Sequence, residues 1–259
     1  MNAHEILLLT AAAVLAGGMN AVAGGGTVLT FPALLLCQIP AIQANATSTL
    51  ALMIGMTGSV FGYRRQMKAV APLAWRFGVA SAAGGILGAI LLTCTREKVF
   101  ASLVPFLLLF ATALFLANNT LRRLVRIEPL ARTSDLLHHR GIFFAYGFQF
   151  LVAIYGGYFG AGIGILMLAS LGILGMSDIH EMNALKTILS ALINLVATLY
   201  FISAGLIVWP QALLMTGAST VGYFAASHYA QRIPQTSVRR IAAAIGLGIS
   251  AWLLWKQFA

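Results

Sequence analysis

Ten apolar runs follow one another along this chain, at roughly 6–23, 27–39, 44–62, 70–93, 99–117, 142–159, 162–176, 184–208, 209–230 and 238–255. A helix needs about 20 residues to cross the hydrocarbon of a bilayer. Most of the runs therefore predict spanning helices, whereas 27–39 and 162–176 are too short to span comfortably. Only 8% of the 259 residues are charged, against about 25% in a soluble domain, so the chain cannot clothe itself for water. The fold class is an all-α polytopic membrane protein. The first run is preceded by His4 and Glu5 but by no lysine or arginine. It lacks the basic leader of a cleaved signal peptide and is expected to belong to the mature structure.

Each short run follows a glycine-rich break: Gly24-Gly25-Gly26 in the first case, and Gly156-Gly157 through Gly160, Gly162 and Gly164 in the second. That symmetry points to an internal duplication. A shift of 138 residues brings Gly24 onto Gly162, Gly26 onto Gly164, Asn45 onto Asn183, Ala46 onto Ala184 and Thr49 onto Thr187. Without a gap it continues through Pro72 and Pro210, Ser81 and Ser219, and Gly84 and Gly222. Residues 1–121 and 141–259 are expected to form two homologous transmembrane repeats joined by a basic cytoplasmic linker, 122–140, which holds His138 and His139.

The net charge of +10 would suggest nucleic acid in a soluble protein. Here the basic residues cluster between apolar runs, as in cytoplasmic loops of membrane proteins, and no nucleic-acid partner is expected. If the broken first element of each half enters and leaves on one side, three helices cross per half. Twelve basic residues, including Arg64, Arg65, Lys68, Arg76, Arg232, Arg239 and Arg240, then face the cytoplasm against three outside. A single crossing by that element gives ten against five. The first arrangement obeys the charge rule better and makes the repeats inverted, as an odd number of crossings does. Each half then holds a glycine-broken first helix, re-entrant or kinked, plus three transmembrane helices.

Lys186 is the only formal charge in the run 184–208. A lysine deep in a membrane helix costs about 2.5–3.5 kcal/mol on insertion scales, so it is expected to face a polar cavity or a partner; the alternative is snorkelling to the interface. Residues i and i+3 of a helix share a face, which groups Asn183 with Lys186 and Asn45 with Ser48. Thr49 and Thr187 complete the two stretches. Helices restarting after Gly24, Gly25 and Gly26, and after Gly160, Gly162 and Gly164, would aim free N–H groups at the same point. Together these residues predict a binding site for a small anion between the halves of a transporter. N-capping is an equal reading for Thr47 and Ser48, and small residues also serve helix packing. Asp178, His180 and Glu181 form an acidic group before Lys186, which reads as a solvated loop, a partner for the lysine, or a proton relay for coupling.

Catalysis finds no footing. No nucleophile elbow, zinc-protease motif, P-loop or paired intramembrane carboxylate occurs, and no cofactor or metal is implied. Cys37 and Cys94 lack metal-ligand spacing and are expected to pack as thiols. The competing function class is a membrane-embedded accessory or assembly protein that carries no substrate.

The opening Ala16-Gly17-Gly18 through Gly24-Gly25-Gly26-Thr27 and Phe31-Pro32 resembles the TauE/SafE family, the sulfite-exporter-like membrane proteins. The likeness continues in Asn45-Ala46-Thr47-Ser48-Thr49 up to Tyr63-Arg64-Arg65, and around Gly160 to Gly164 and Asn183 to Thr187. It implies a secondary carrier, often an exporter, of a small inorganic or organic sulfur anion such as sulfite, thiosulfate or an organosulfonate. It further implies a place in the bacterial inner membrane, in contact with lipid, and two related halves. Two departures suggest that the halves contribute unequally: Ser170 stands where the repeat of Pro32 would fall, and the second half lacks the triple glycine.

Overall fold

The computed structural model describes residues 1–22, 25–62, 64–124, 142–173, 176, 178–229 and 235–258. Ten helices occur among them. The first half holds α1 (Ala3–Val22), α2 (Thr27–Leu36), α3 (Ala41–Gly62), α4 (Arg64–Cys94) and α5 (Glu97–Leu124). The second holds α6 (Ile142–Tyr158), α7 (Ile163–Ile173), α8 (Ile179–Ser203), α9 (Trp209–Tyr229) and α10 (Gln235–Phe258). Each half therefore presents the same order: a helix, a short helix, then three long ones. Ala3–Ala21, Val70–Cys94, Glu97–Leu114 and Glu181–Ser203 are long and apolar enough to cross a membrane. Residues 125–141, most of the expected linker with His138 and His139, lie outside the described residues, as does Gly24.

The principal pairings survive exchange of the halves. α1 packs on α9 as α6 packs on α4, and α3 on α9 as α8 on α4. α2 meets α10 as α7 meets α5, while α3 touches its counterpart α8 and α5 touches α10. Small residues make these approaches close, as membrane helices require when lipid supplies no hydrophobic drive. Gly17 sits against the Ser219 carbonyl and Gly222 against the Val14 carbonyl, where any side chain would collide. The interior is rich in alanine (Ala13, Ala44, Ala51, Ala153 and Ala197 are buried), while Leu7, Leu15, Phe143, Leu213, Phe224 and Trp255 are exposed. An exposed apolar surface of this kind suits a lipid solvent.

α1 and α2 form a hairpin. Gly25, at φ +91°, turns the chain in the left-handed region that glycine alone enters freely. Asn20 Oδ1 accepts the Gly26 N–H at 2.6 Å, and a Cβ on Gly26 would lie 2.6 Å from the Ala16 carbonyl oxygen. At the other end, Glu5 of α1 acts electrostatically on Cys37, just past α2. The Glu97 carboxylate, at the start of α5, accepts the N–H groups of Ala41 and Ile42 and so caps α3. The second hairpin turns at Gly160 and Gly162, both at φ +80°. Tyr155 pins that turn by donating its hydroxyl proton to the Ala161 carbonyl at 2.7 Å. Phe31 of α2 meets Phe159 edge-on, 5.4 Å between centroids, and joins the two halves near this turn.

α3 and α8 run in opposite directions. Asn194 lies beside Met56, with Nδ2 to Sδ at 3.9 Å, while Thr47, earlier on α3, accepts the N–H of Val208, beyond the end of α8, at 3.1 Å. Two expectations need adjusting. The apolar run 184–208 is not one helix, because α8 stops at Ser203 and Gly205 turns the chain at φ +68°. The basic stretches taken as loops also contribute to helices: Arg64, Arg65 and Lys68 begin α4, and Arg239 and Arg240 lie in α10. Lys, Arg, Gln, Met and Ala are all good helix formers, so charge interrupts the apolar pattern without interrupting the helix.

Candidate functional site

Both glycine hairpins point their turns at the middle of α3 and α8, and a cavity of about 60 Å³ lies where they meet. A water requires roughly 10–15 Å³ of such space, so the cavity holds a few waters or one small anion. The first hairpin supplies Asn20, Ala21, Gly25 and Thr27, and the second supplies Gly160, Ile163 and Gly164. α3 contributes Thr49, Leu52 and Met56; α8 contributes Lys186, Thr187, Ser190 and Asn194; α9 contributes Tyr223. The starts of α2 and α7 are both in the wall. A helix dipole is positive at its start, although the N–H groups of Val28 and Leu29 in α2 and of Ile165 in α7 are bonded to the Gly25, Gly26 and Gly162 carbonyls.

Among the described lining residues Lys186 is the only lysine or arginine, and none carries a carboxylate. It is half-buried, and its Nζ donates to Asn183 Oδ1 at 3.2 Å. The stem runs past Gly164, where a Cβ would stand 3.2 Å from Lys186 Cδ. Gly164 thus leaves the lysine its path to the cavity.

The sequence-predicted residues divide in a definite way. Gly25, Thr49, Gly160, Gly164, Lys186 and Thr187 meet around the cavity. Asn183 stands one turn from Lys186 and reaches it by the hydrogen bond above. Gly26 and Gly162 shape the turns. Asn45 and Ser48 do share a face of α3, but neither is among the residues lining the cavity. Asn45 Nδ2 donates to the Tyr158 carbonyl at 3.0 Å, and the Ser48 and Thr30 hydroxyls lie 2.5 Å apart. Both residues are at most 1% exposed. The i, i+3 rule groups side chains without saying which way the group points. Asp178, exposed, accepts the Glu181 N–H at 3.2 Å as an N-terminal cap of α8 and does not line the cavity.

Sequence reasoning did not single out Asn20, Ser190, Asn194 or Tyr223. The α8 pair was within reach, since Ser190 and Asn194 continue the stripe of Lys186 and Thr187 at helical spacing. Asn20 was a lone amide shortly before a glycine turn. Tyr223 gave no signal, because its place depends on how α9 packs across the halves.

The two walls of the cavity differ in polarity although their positions correspond under the shift. Under the 138-residue shift Thr49 matches Thr187, but Leu52 matches Ser190 and Met56 matches Asn194. α3 therefore offers a largely apolar wall and α8 a polar, charged one.

The chain matches the profile described as sulfite exporter TauE/SafE over residues 9–253. It is 27% identical to the "Probable membrane transporter protein ORF9" of a Sinorhizobium species, across 97% of this chain and 93% of that one. It is 25% identical to a "Probable membrane transporter protein" of Haemophilus influenzae, across 97% and 95%. Identity to the "Probable membrane transporter protein YfcA" of Escherichia coli K12 is 24%, across 95% and 88%. No solved structure matches the chain. With a cavity between two hairpin-bearing halves and a family match along almost its whole length, the chain is a multi-pass membrane protein belonging to the sulfite exporter TauE/SafE family.

Proposed function

We propose that the protein is a secondary transporter of the bacterial inner membrane that exports a small sulfur-containing anion, such as sulfite, thiosulfate or an organosulfonate, by alternating access. The observation that carries this proposal is the cavity between the halves, with Lys186 in its wall beside the starts of two helices. An ammonium and two positive dipole ends in a low-dielectric interior favour an anion. The neutral donors point the same way. Among the described residues, Ser190 Oγ donates only to Met167 Sδ at 3.4 Å, and Asn194 Nδ2 only reaches Met56 Sδ at 3.9 Å. A thioether is a weak acceptor, so an oxyanion entering the cavity would take over both donors at little cost.

Alternating access follows from an inverted relation of the halves. α3 and α8, which correspond under the shift, run antiparallel, and Met56 meets its own counterpart Asn194. A two-fold axis between them would lie across the helices, as in inverted-repeat carriers whose halves rock around a midplane site. The excess of basic residues on one side supports the cytoplasmic assignment of that side. Calorimetric titration of the purified protein with sulfite, thiosulfate, sulfoacetate and sulfate tests the proposal: one of the sulfur anions is expected to bind, and binding is expected to vanish in Lys186→Ala. A folded protein that binds none of them, yet fails to assemble when its packing glycines are enlarged, would fit an accessory protein instead.

A further inference from the structure

The described residues contain several buried oxygens that have no hydrogen-bond partner: Asn45 Oδ1, Gln211 Oε1 and the hydroxyls of Thr112, Tyr146, Thr198 and Tyr223. Tyr223 alone among these lines the cavity. Its side chain is 5% exposed. Asn20 is close enough to act on the hydroxyl as a hydrogen-bonding neighbour, but its amide oxygen is taken by the Gly26 N–H and its contact with the tyrosine falls short of hydrogen-bond geometry. Buried hydroxyls are nearly always satisfied, and an orphan calls for a cause.

The packing shows how the hydroxyl came to be there. The Tyr223 ring lies over Gly55 of α3, where a Cβ would stand 2.5 Å from Cδ2. Under the 138-residue shift this contact corresponds to Ile193 over Gly85, and that contact is also present, with a Gly85 Cβ 3.3 Å from Ile193 Cα. In one of these two contacts an aliphatic side chain from α8 lies over a glycine of α4. In the other the large residue stands on α9, over a glycine of α3, and is a tyrosine. Packing alone would accept an aliphatic or phenyl group here, so the hydroxyl is what the tyrosine adds.

We infer that the Tyr223 hydroxyl is a ligand-binding group, a neutral donor that hydrogen-bonds an oxygen of the anion held by Lys186. The inference rests on the anion site proposed above and adds to it a specificity-determining residue on α9. Lys186 attracts any anion; a fixed hydroxyl on a rigid ring favours one with an acceptor oxygen at the matching position. A spherical halide would gain the charge and lose most of that directional bond.

Calorimetry on purified Tyr223→Phe, with whichever of sulfite, thiosulfate, sulfoacetate or sulfate binds the wild type, tests this. The ring stays over Gly55 and only the hydroxyl is lost. Binding is expected to weaken about ten-fold or more, in the range of a hydrogen bond to a charged group, while the ligand-free melting temperature stays level or rises. A hydroxyl with a purely structural role would instead lower that melting temperature and leave affinity alone, which overturns the inference. Unchanged affinity in Tyr223→Phe beside lost affinity in Lys186→Gln also overturns it, but leaves the anion site standing. Wild-type protein that binds none of the anions overturns both. Should Tyr223→Phe fail to fold, 3-fluorotyrosine placed at position 223 gives a second arm. Its stronger donor should tighten binding, and unchanged binding counts against the role.

Discussion

At the scale of single residues, the cavity separates the side chains proposed to hold a ligand from those that hold the fold. Among the described residues, Ser190 and Asn194 donate only to methionine sulfur. Ser190→Ala and Asn194→Leu should therefore weaken anion binding by roughly three- to ten-fold with little change in melting temperature, measured by calorimetry and thermal unfolding on the same samples. Gly164 works through its neighbour. A Cβ there crowds Lys186 Cδ at 3.2 Å, so Gly164→Val should displace the lysine stem and cost affinity, while Gly164→Ala costs less. Equal binding by the valine variant would mean that the lysine reaches the anion along another path. The lysine, the glycines and the paired threonines were legible in the sequence because a charge or a helix break stands out against an apolar background. Tyr223 and Asn20 were not, since a tyrosine or a lone asparagine in a membrane helix is unremarkable until its neighbours from other helices are known.

At the scale of elements, the hairpins are the parts that hold the site open, and their turns depend on glycine at positive φ. Gly160→Ala should cost about 1–2 kcal/mol of stability, the penalty for a side chain in the left-handed region. Asn45 ties α3 to the last turn of α6 through the Tyr158 carbonyl. Asn45→Ala leaves that carbonyl without its amide donor and should destabilise by about 1–3 kcal/mol. The affinity of the surviving folded protein should stay near that of the wild type; a large loss of affinity at unchanged stability would place Asn45 at the ligand instead. The breaks themselves could be read from glycine clusters flanking runs too short to span. The start of α4 at Arg64 could not, because basic residues that mark a membrane boundary are also good helix formers.

At the scale of the whole molecule, both cysteines lie at one end. Cys37 follows α2 beside Glu5, Cys94 closes α4, and Glu97 just after it caps α3 a few residues past Cys37. In the proposed orientation, with basic segments inside, that end faces away from the cytoplasm. A membrane-impermeant maleimide added to spheroplasts should therefore reach both thiols, and cytoplasm-out vesicles should protect them; the opposite pattern would reverse the orientation. Cys94 is exposed and should react first. Burial, and then the Glu5 carboxylate, raise the pKa of Cys37, so its thiolate is scarcer at a given pH. Its labelling should be slower and should quicken as pH rises. The correspondence of positions between the halves was visible in the sequence as a constant offset at glycines and polar residues. The exchange of partners between halves, α1 with α9 and α6 with α4, was not, since an offset relates positions without saying which helices touch.

The central claim is that Lys186 binds an anion between the halves, and the most direct measurement is calorimetric titration of sulfite, thiosulfate and sulfoacetate into purified wild type and Lys186→Ala. Saturable binding of one of these anions by the wild type, absent from a variant that remains inserted and folded, is the predicted result. Equal binding by both proteins, or none by a well-folded wild type, would contradict it.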